Sequence, residues 1–166
     1  MKVNIKLLEG VEVPLYQTKG SAGFDLKAHT FKKVFSGKKE IDLTKELTNS
    51  ISKNYIILRP GERVMIGTGI FVELPVGKQL EIRSRSGMVL NRGLVVANQP
   101  GTIDSDYRGE ICIILINTNH FLSKIEIGER IAQGVVTDYY QVEFSEVKEL
   151  SSTDREAGGF GSTGTK

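Results

Sequence analysis

The chain has 166 residues, 39% of them hydrophobic and 25% charged, which suits one globular domain with its own core and excludes disorder over the whole length. Its 22 Lys and Arg against 20 Asp and Glu leave a formal charge of +2. That near-balance excludes a polybasic nucleic-acid coat, and no nucleic-acid partner is expected. A single cysteine, Cys112, excludes an internal disulfide and a cysteine-rich metal site. The start, MKVNIKLLEG, lacks the apolar run of a signal peptide, and no stretch approaches the ~18 apolar residues of a spanning helix. The expected setting is therefore reducing and cytoplasmic, away from membranes.

In chain order, the first expected strand is Val3, Ile5 and Leu7, which alternate with polar residues. Residues 32–54 break the pattern. They are polar and lysine-rich, and Leu43, Leu47 and Ile51 recur every four positions, which predicts a short surface helix in an inserted surface segment. That segment is also the candidate contact for a protein partner. Apolar, β-branched strands are then predicted at 55–58, 64–66, 70–74, 80–82, 94–97, 111–116, 125–127, 131–137 and 142–147. Pro60-Gly61, Pro75-Val76-Gly77, Pro100-Gly101 and Gly128 supply turns between them. Many short strands with regular turns predict an all-β barrel or sandwich. The run Ile111–Ile116 is apolar on both faces, which points to a second sheet or, as the preferred reading, a contact between subunits. Domain organisation is read as a β domain over 1–150 and a flexible C-terminal arm over 151–166, where four glycines fall within positions 158–164.

Three segments carry chemistry. In Gly101–Glu110, Asp104 offers a general base and Tyr107 a ring to line a small-molecule pocket. On extended backbone, Asp104 and Asp106 would share one face and Ser105 and Tyr107 the other. A solvated acidic turn fits the same residues. Arg83-Ser84-Arg85-Ser86-Gly87-Met88 follows a strand and opens a possible short helix, offering hydroxyls, N–H groups and guanidiniums to phosphate oxygens. A basic strand end in water is the plainer account. In the arm, glycines flank Phe160, while Arg155, Ser162 and Thr163 can meet phosphates, as in a lid that stacks on a flat ring. A flexible linker with one stray Phe is the alternative.

Five ordered segments together resemble the trimeric dUTPase (deoxyuridine triphosphatase) family. They are Ala22–Ala28, Arg85–Met88, Gly101–Glu110, Arg130–Gln133 and Arg155–Gly164, ending Gly-Gly-Phe-Gly-Ser-Thr-Gly. The resemblance implies a jelly-roll-like β-barrel of the trimeric dUTPase type. It also implies hydrolysis of dUTP to dUMP and pyrophosphate by water attack on the α-phosphorus, which limits uracil in DNA and supplies dUMP for dTMP synthesis. By resemblance, Asp104 activates the water, Ser86 donates to the oxygen that leaves with pyrophosphate, and Asp25 lies near the metal's waters. Arg85, Ser86, Gly87 and Gln133 would meet the phosphates, and Arg130 would hold local structure. Asn98, Gly101, Thr102 and Ile103 would form the uracil-binding hairpin, whose main-chain groups reject cytosine. Tyr107 would pack under the deoxyribose. Phe160 would stack on uracil while Arg155, Gly161, Ser162 and Thr163 close over the phosphates. The implied cofactor is Mg²⁺, riding on the substrate's phosphates with no direct protein ligand. The implied assembly is a homotrimer in which each site takes its third segment from one chain, its first, second and fourth from a neighbour, and its fifth from the third chain.

Three departures stand out: Glu156 where the family usually has glycine, residues 32–54 where a shorter connection is usual, and Met88 where leucine is usual. Other readings are a dCTP deaminase of the same fold and a nucleotide-sensing regulator that binds a protein through residues 32–54. Cys112 reads as a small core residue, and His29 and His120 as surface or loop residues.

Overall fold

The computed structural model describes residues 1–42, 54–159 and 162. Thirteen strands and one short helix run in the order β1 (Asn4–Leu7), β2 (Phe24–Lys27), β3 (Thr30–Ser36), β4 (Lys39–Asp42), β5 (Tyr55–Leu58), β6 (Arg63–Gly67), β7 (Ile70–Glu73), β8 (Lys78–Arg83), α1 (Ser86–Arg92), β9 (Leu94–Val96), β10 (Gly101–Ile103), β11 (Cys112–Asn117), β12 (Ser123–Glu126) and β13 (Arg130–Asp138). They pair as a four-stranded sheet β10-β8-β13-β2, a five-stranded sheet β4-β3-β6-β11-β9, and the two-stranded ribbons β1-β7 and β12-β5. Every pairing is antiparallel. This is the expected all-β class, and no helix among the described residues is long and apolar enough to cross a membrane.

Alternation in the sequence builds the core. In β11 every second residue is buried: Ile113 opposes buried Ile66, and Leu115 opposes buried Val64 and Val96. Such β-branched cross-strand pairs are the unit of sheet stabilisation, and each fully buried Ile or Leu contributes about 1.5–3 kcal/mol. Leu26, Leu58, Leu80, Leu94, Ile125 and Ile131 bring the other strands into the same cluster.

One expectation is overturned, that of a strand at 142–147. The other face of β11 is not buried within the chain: Cys112, Ile114 and Ile116 are half covered. Residues 142–147 form no strand. Val142, Phe144 and Val147 are 66%, 91% and 58% exposed, because alternation yields a strand only where a partner edge and a core face are available. The first part of the inserted segment is a hairpin, β3-β4, with the turn at Gly37. The helix expected from Leu43, Leu47 and Ile51 lies outside the described residues. Composition alone did not reveal β2, β3, β4 or β10, since each is short or interrupted by polar residues.

Candidate active site

The sheet β8-β13-β2 sets Arg83, Gln133 and Asp25 in one row across three strands. A register slip in β13 between Arg130 and Ala132 adds one residue beside this row. Positions 130 and 133 are an odd number apart and would face opposite sides of a regular strand. The bulge turns both toward Asp25, a known use of bulges near sites. The Asp25 carboxylate then forms an ion pair with Arg85 Nε at 2.9 Å through Oδ1 and accepts a hydrogen bond from Arg130 Nη1 at 3.2 Å through Oδ2. Arg85 Nη1 also donates to the Arg130 carbonyl at 2.9 Å. Arg130 is thus a direct partner of Asp25. One carboxylate between two guanidiniums leaves an excess positive charge, a setting that favours an anion.

Gln133 Nε2 donates to the Ser84 carbonyl at 2.9 Å. A Cβ on Gly23 would lie 2.8 Å from Gln133 Oε1, so a side chain there would push the amide away. Ser86 and Gly87 open α1, a short helix with Arg85 at its N-cap and Gly93 at its C-cap. Met88 and Val89 N–H both donate to the Arg85 carbonyl. The N–H groups of Ser86 and Gly87 are helix-start donors without an intrahelical acceptor.

The second cluster is the connection from β9 to β10, two strands that pair with β11 and β8 respectively. Asn98 folds over Gly101: a Cβ on Gly101 would be 3.3 Å from Asn98 Nδ2 and 3.2 Å from Ile82 Cβ. Asn98, Gly101, Thr102, Ile103 and Cys112 line a cavity of about 30 Å³, room for about two waters. Burial pushes the Cys112 thiol above its ordinary value, and the nearby Glu110 carboxylate adds to this. Asp104 and Asp106 do not lie on extended backbone, because Tyr107 N–H donates to the Asp104 carbonyl at 3.2 Å and closes a turn. Asp104 is exposed and makes no ion pair among the described residues. Tyr107 is 44% exposed, and its hydroxyl donates to the Glu110 carbonyl at 3.1 Å. A Cβ on Gly109 would stand 2.2 Å from that hydroxyl oxygen and 2.4 Å from Cζ, so the ring lies against glycine backbone.

Within the second cluster, Asp104 and the turn after it sit toward the end of β8 opposite to Arg85 and Ser86. Ile103 pairs with Leu80 and Gly101 with Ile82, so Asp104 lies past Leu80 while Arg85 and Ser86 lie past Arg83. At about 3.3 Å per residue, Asp104 and Arg85 of one chain are separated by roughly 15–20 Å.

In the arm, Arg155 Nε donates to the Gly158 carbonyl at 2.8 Å. Thr153 N–H donates to Glu156 Oε1 at 2.9 Å, while Glu156 N–H donates to Thr153 Oγ1 at 3.1 Å. Glu156 has φ of 43°, a left-handed conformation that glycine adopts without strain. Ser162 N–H donates to the Gly159 carbonyl at 3.0 Å. Phe160, Gly161 and Thr163 lie outside the described residues. No hydrogen bond or ion pair among the described residues joins the arm from Ser151 onward to either cluster.

Among the described residues, no group of three or more His, Cys, Asp or Glu could hold a metal. Asp25 has both oxygens committed to arginines, a donor set that fits contact with a metal's water better than direct ligation. A larger cavity of about 250 Å³ opens beside Asp25 and Arg130, bounded by residues 10–15 and 17.

Sequence reasoning missed what Ser84, Gln99 and Gly109 do. Ser84 counted only as one hydroxyl of the Arg83–Met88 run and nothing marked Gln99; the two are 15 positions apart and meet only in the fold. Gly109 stood inside a recognised segment, but its contact with Tyr107 depends on the turn.

Comparison with known proteins returns one family consistently. The dUTPase family model matches residues 50–164. The chain is 46% identical over 165 residues to a deoxyuridine 5'-triphosphate nucleotidohydrolase from Nautilia profundicola, covering 99% of each chain. It is 45% identical over 164 residues to one from Treponema denticola, again covering 99% of each. The structure of the Staphylococcus bacteriophage 80alpha dUTPase with dUPNHPP superposes with a TM-score of 0.76 at 25% identity, covering 98% of each chain.

Proposed function

Because the chain belongs to the dUTPase family, we propose that it hydrolyses dUTP to dUMP and pyrophosphate with the residues of the two clusters and the arm acting together. The near-full-length likeness to deoxyuridine 5'-triphosphate nucleotidohydrolases carries this reading. A dCTP deaminase of the same fold is not favoured, since these relatives are named as nucleotidohydrolases.

Asp104 accepts a proton from the water that attacks the α-phosphorus. Its exposure and lack of an ion pair among the described residues support this, because a carboxylate already held by a cation would be a poorer base. Arg85, Ser86 and Gly87 bind the phosphates, with Ser86 donating to the oxygen on which charge develops. The positive excess around Asp25 supports that assignment. Gln133 is an uncharged donor beside the same phosphates. Its amide nitrogen has two N–H groups, and the bond to Ser84 uses one. Mg²⁺ would be held by the substrate's phosphates, with Asp25 available to its waters, and would supply charge neutralisation on the triphosphate.

Asn98 and the main chain of Gly101, Thr102 and Ile103 recognise uracil. Cytosine carries a donor where uracil has its 4-carbonyl, so it would leave buried groups unpaired. Tyr107 packs under the deoxyribose and excludes a 2′-hydroxyl. Phe160 stacks on the base, and Arg155, Gly161, Ser162 and Thr163 close over the phosphates. The assembly is a homotrimer with sites shared between chains. The roughly 15–20 Å between Asp104 and Arg85 of one chain supports this, since both cannot meet one phosphorus.

The test measures pyrophosphate release from dUTP, dCTP, dTTP and UTP, with and without Mg²⁺. Release from dUTP alone, dependent on Mg²⁺, is expected. Ammonia from dCTP, or equal release from all four nucleotides, would overturn the reading.

A further inference from the structure

Ser84 uses all three of its polar groups. Its N–H donates to Gln99 Oε1 at 3.0 Å, its Oγ accepts from Val96 N–H at 2.8 Å, and its carbonyl accepts from Gln133 Nε2 at 2.9 Å. The first two bonds bracket Asn98, two positions before it and one after. On the other side, Ala97 N–H is held by the Ile114 carbonyl at 2.8 Å. The start of the β9–β10 connection is therefore pinned to β11 by its backbone and to the end of β8 by Ser84.

Among the described residues, Gln99 provides the side-chain link from this turn to the phosphate-loop strand. Gln99 and its neighbours 97, 98 and 100 are otherwise exposed. Between the Ala97 bond and the β10 ladder, Asn98 is thus placed by this clip and by the Gln99 N–H, which donates to the Val96 carbonyl at 3.3 Å.

We infer that Gln99, through its bond to Ser84, is a positioning residue for base selection: it holds the Asn98 turn in the position that distinguishes uracil from cytosine. This rests on the dUTP reading above. Neither residue touches the reacting phosphorus, so the clip acts on binding and discrimination and not on the chemical step. Discrimination requires donors and acceptors fixed within a fraction of an ångström, because a loose turn can adjust to the wrong base. A carboxylate at position 99 keeps an acceptor for Ser84 N–H, while alanine removes it.

The experiment compares wild type, Gln99→Ala and Gln99→Glu for kcat and KM on dUTP and dCTP, with thermal unfolding of each. For Gln99→Ala the expectation is a KM for dUTP raised about threefold to tenfold, the size of one net hydrogen bond. Its kcat should stay within about twofold, and its preference for dUTP over dCTP should fall by a similar factor. Gln99→Glu should recover most of the preference. A Gln99→Ala enzyme with wild-type KM and preference would overturn the inference alone. So would a loss of preference that Gln99→Glu does not recover. A wild-type chain inert toward dUTP would remove both the dUTP reading and this inference.

Discussion

Gly109 shows how a residue without a side chain can govern one that has a role. The Tyr107 hydroxyl occupies the space a Cβ at position 109 would need, at 2.2 Å. That is far inside any real contact, so Gly109→Ala must swing the ring away from the backbone. If Tyr107 packs under the deoxyribose, the substitution should raise KM for dUTP by about tenfold and increase relative activity on UTP. Steady-state kinetics on the two nucleotides measures this, and unchanged selectivity would refute the role given to the ring. Gly23 protects Gln133 in the same way, at 2.8 Å. The glycines were legible in the sequence, but what each must avoid was not, because both contacts depend on how a turn or a neighbouring strand returns the partner side chain.

At the scale of elements, β11 and the arm contrast. Ile113 of β11 is 1% exposed and faces Ile66 across the ladder. Ile113→Ala should therefore cost about 2–5 kcal/mol, read from urea unfolding. A cost below about 1 kcal/mol would mean that the site collapses around the gap. The arm has no such core. Its turn at 153–158 depends on the reciprocal bonds between Thr153 and Glu156, and Glu156 sits in a left-handed conformation costing about 1–2 kcal/mol. Glu156→Gly relieves that strain but deletes the carboxylate that holds Thr153 N–H. Faster amide exchange at 153–158 is the expected outcome, and exchange unchanged from wild type would show the carboxylate to be idle. The departure from the usual glycine therefore has a local rationale: the side chain offsets part of the strain it introduces. Strands with clean alternation and flanking turns were readable from the sequence. Residues 142–147 alternate equally well and yet form no strand, because pairing needs an edge that alternation does not provide.

For the whole molecule, the antiparallel register of β10 on β8 has the largest consequence. It carries Asp104 toward one end of β8 while Arg85 and Ser86 lie beyond the other. A shared site predicts complementation. Asp104→Asn and Arg85→Ala should each be nearly inactive as pure proteins. Unfolded together in equal amounts and refolded, they should regain activity in about a quarter of the sites, the random share that joins an intact Asp104 to an intact Arg85 from different chains. Activity no greater than the sum of the two pure variants would rule out sharing. The half-covered face of Cys112, Ile114 and Ile116 on β11 offers apolar area for such an assembly.

The linear chain determined the β class through its alternation and turn residues, and the family through five short segments in fixed order. Both are local properties: the first follows from the two-residue period of a strand, the second from residue types at fixed spacing. Only the tertiary structure decided that Arg130 joins Arg85 on Asp25, that Ser84 fastens the β9–β10 turn, and that Asp104 stands apart from Arg85 and Ser86. Each of these depends on a bulge, a turn or a pairing register between residues distant in sequence, and such registers are selected by packing of the whole core.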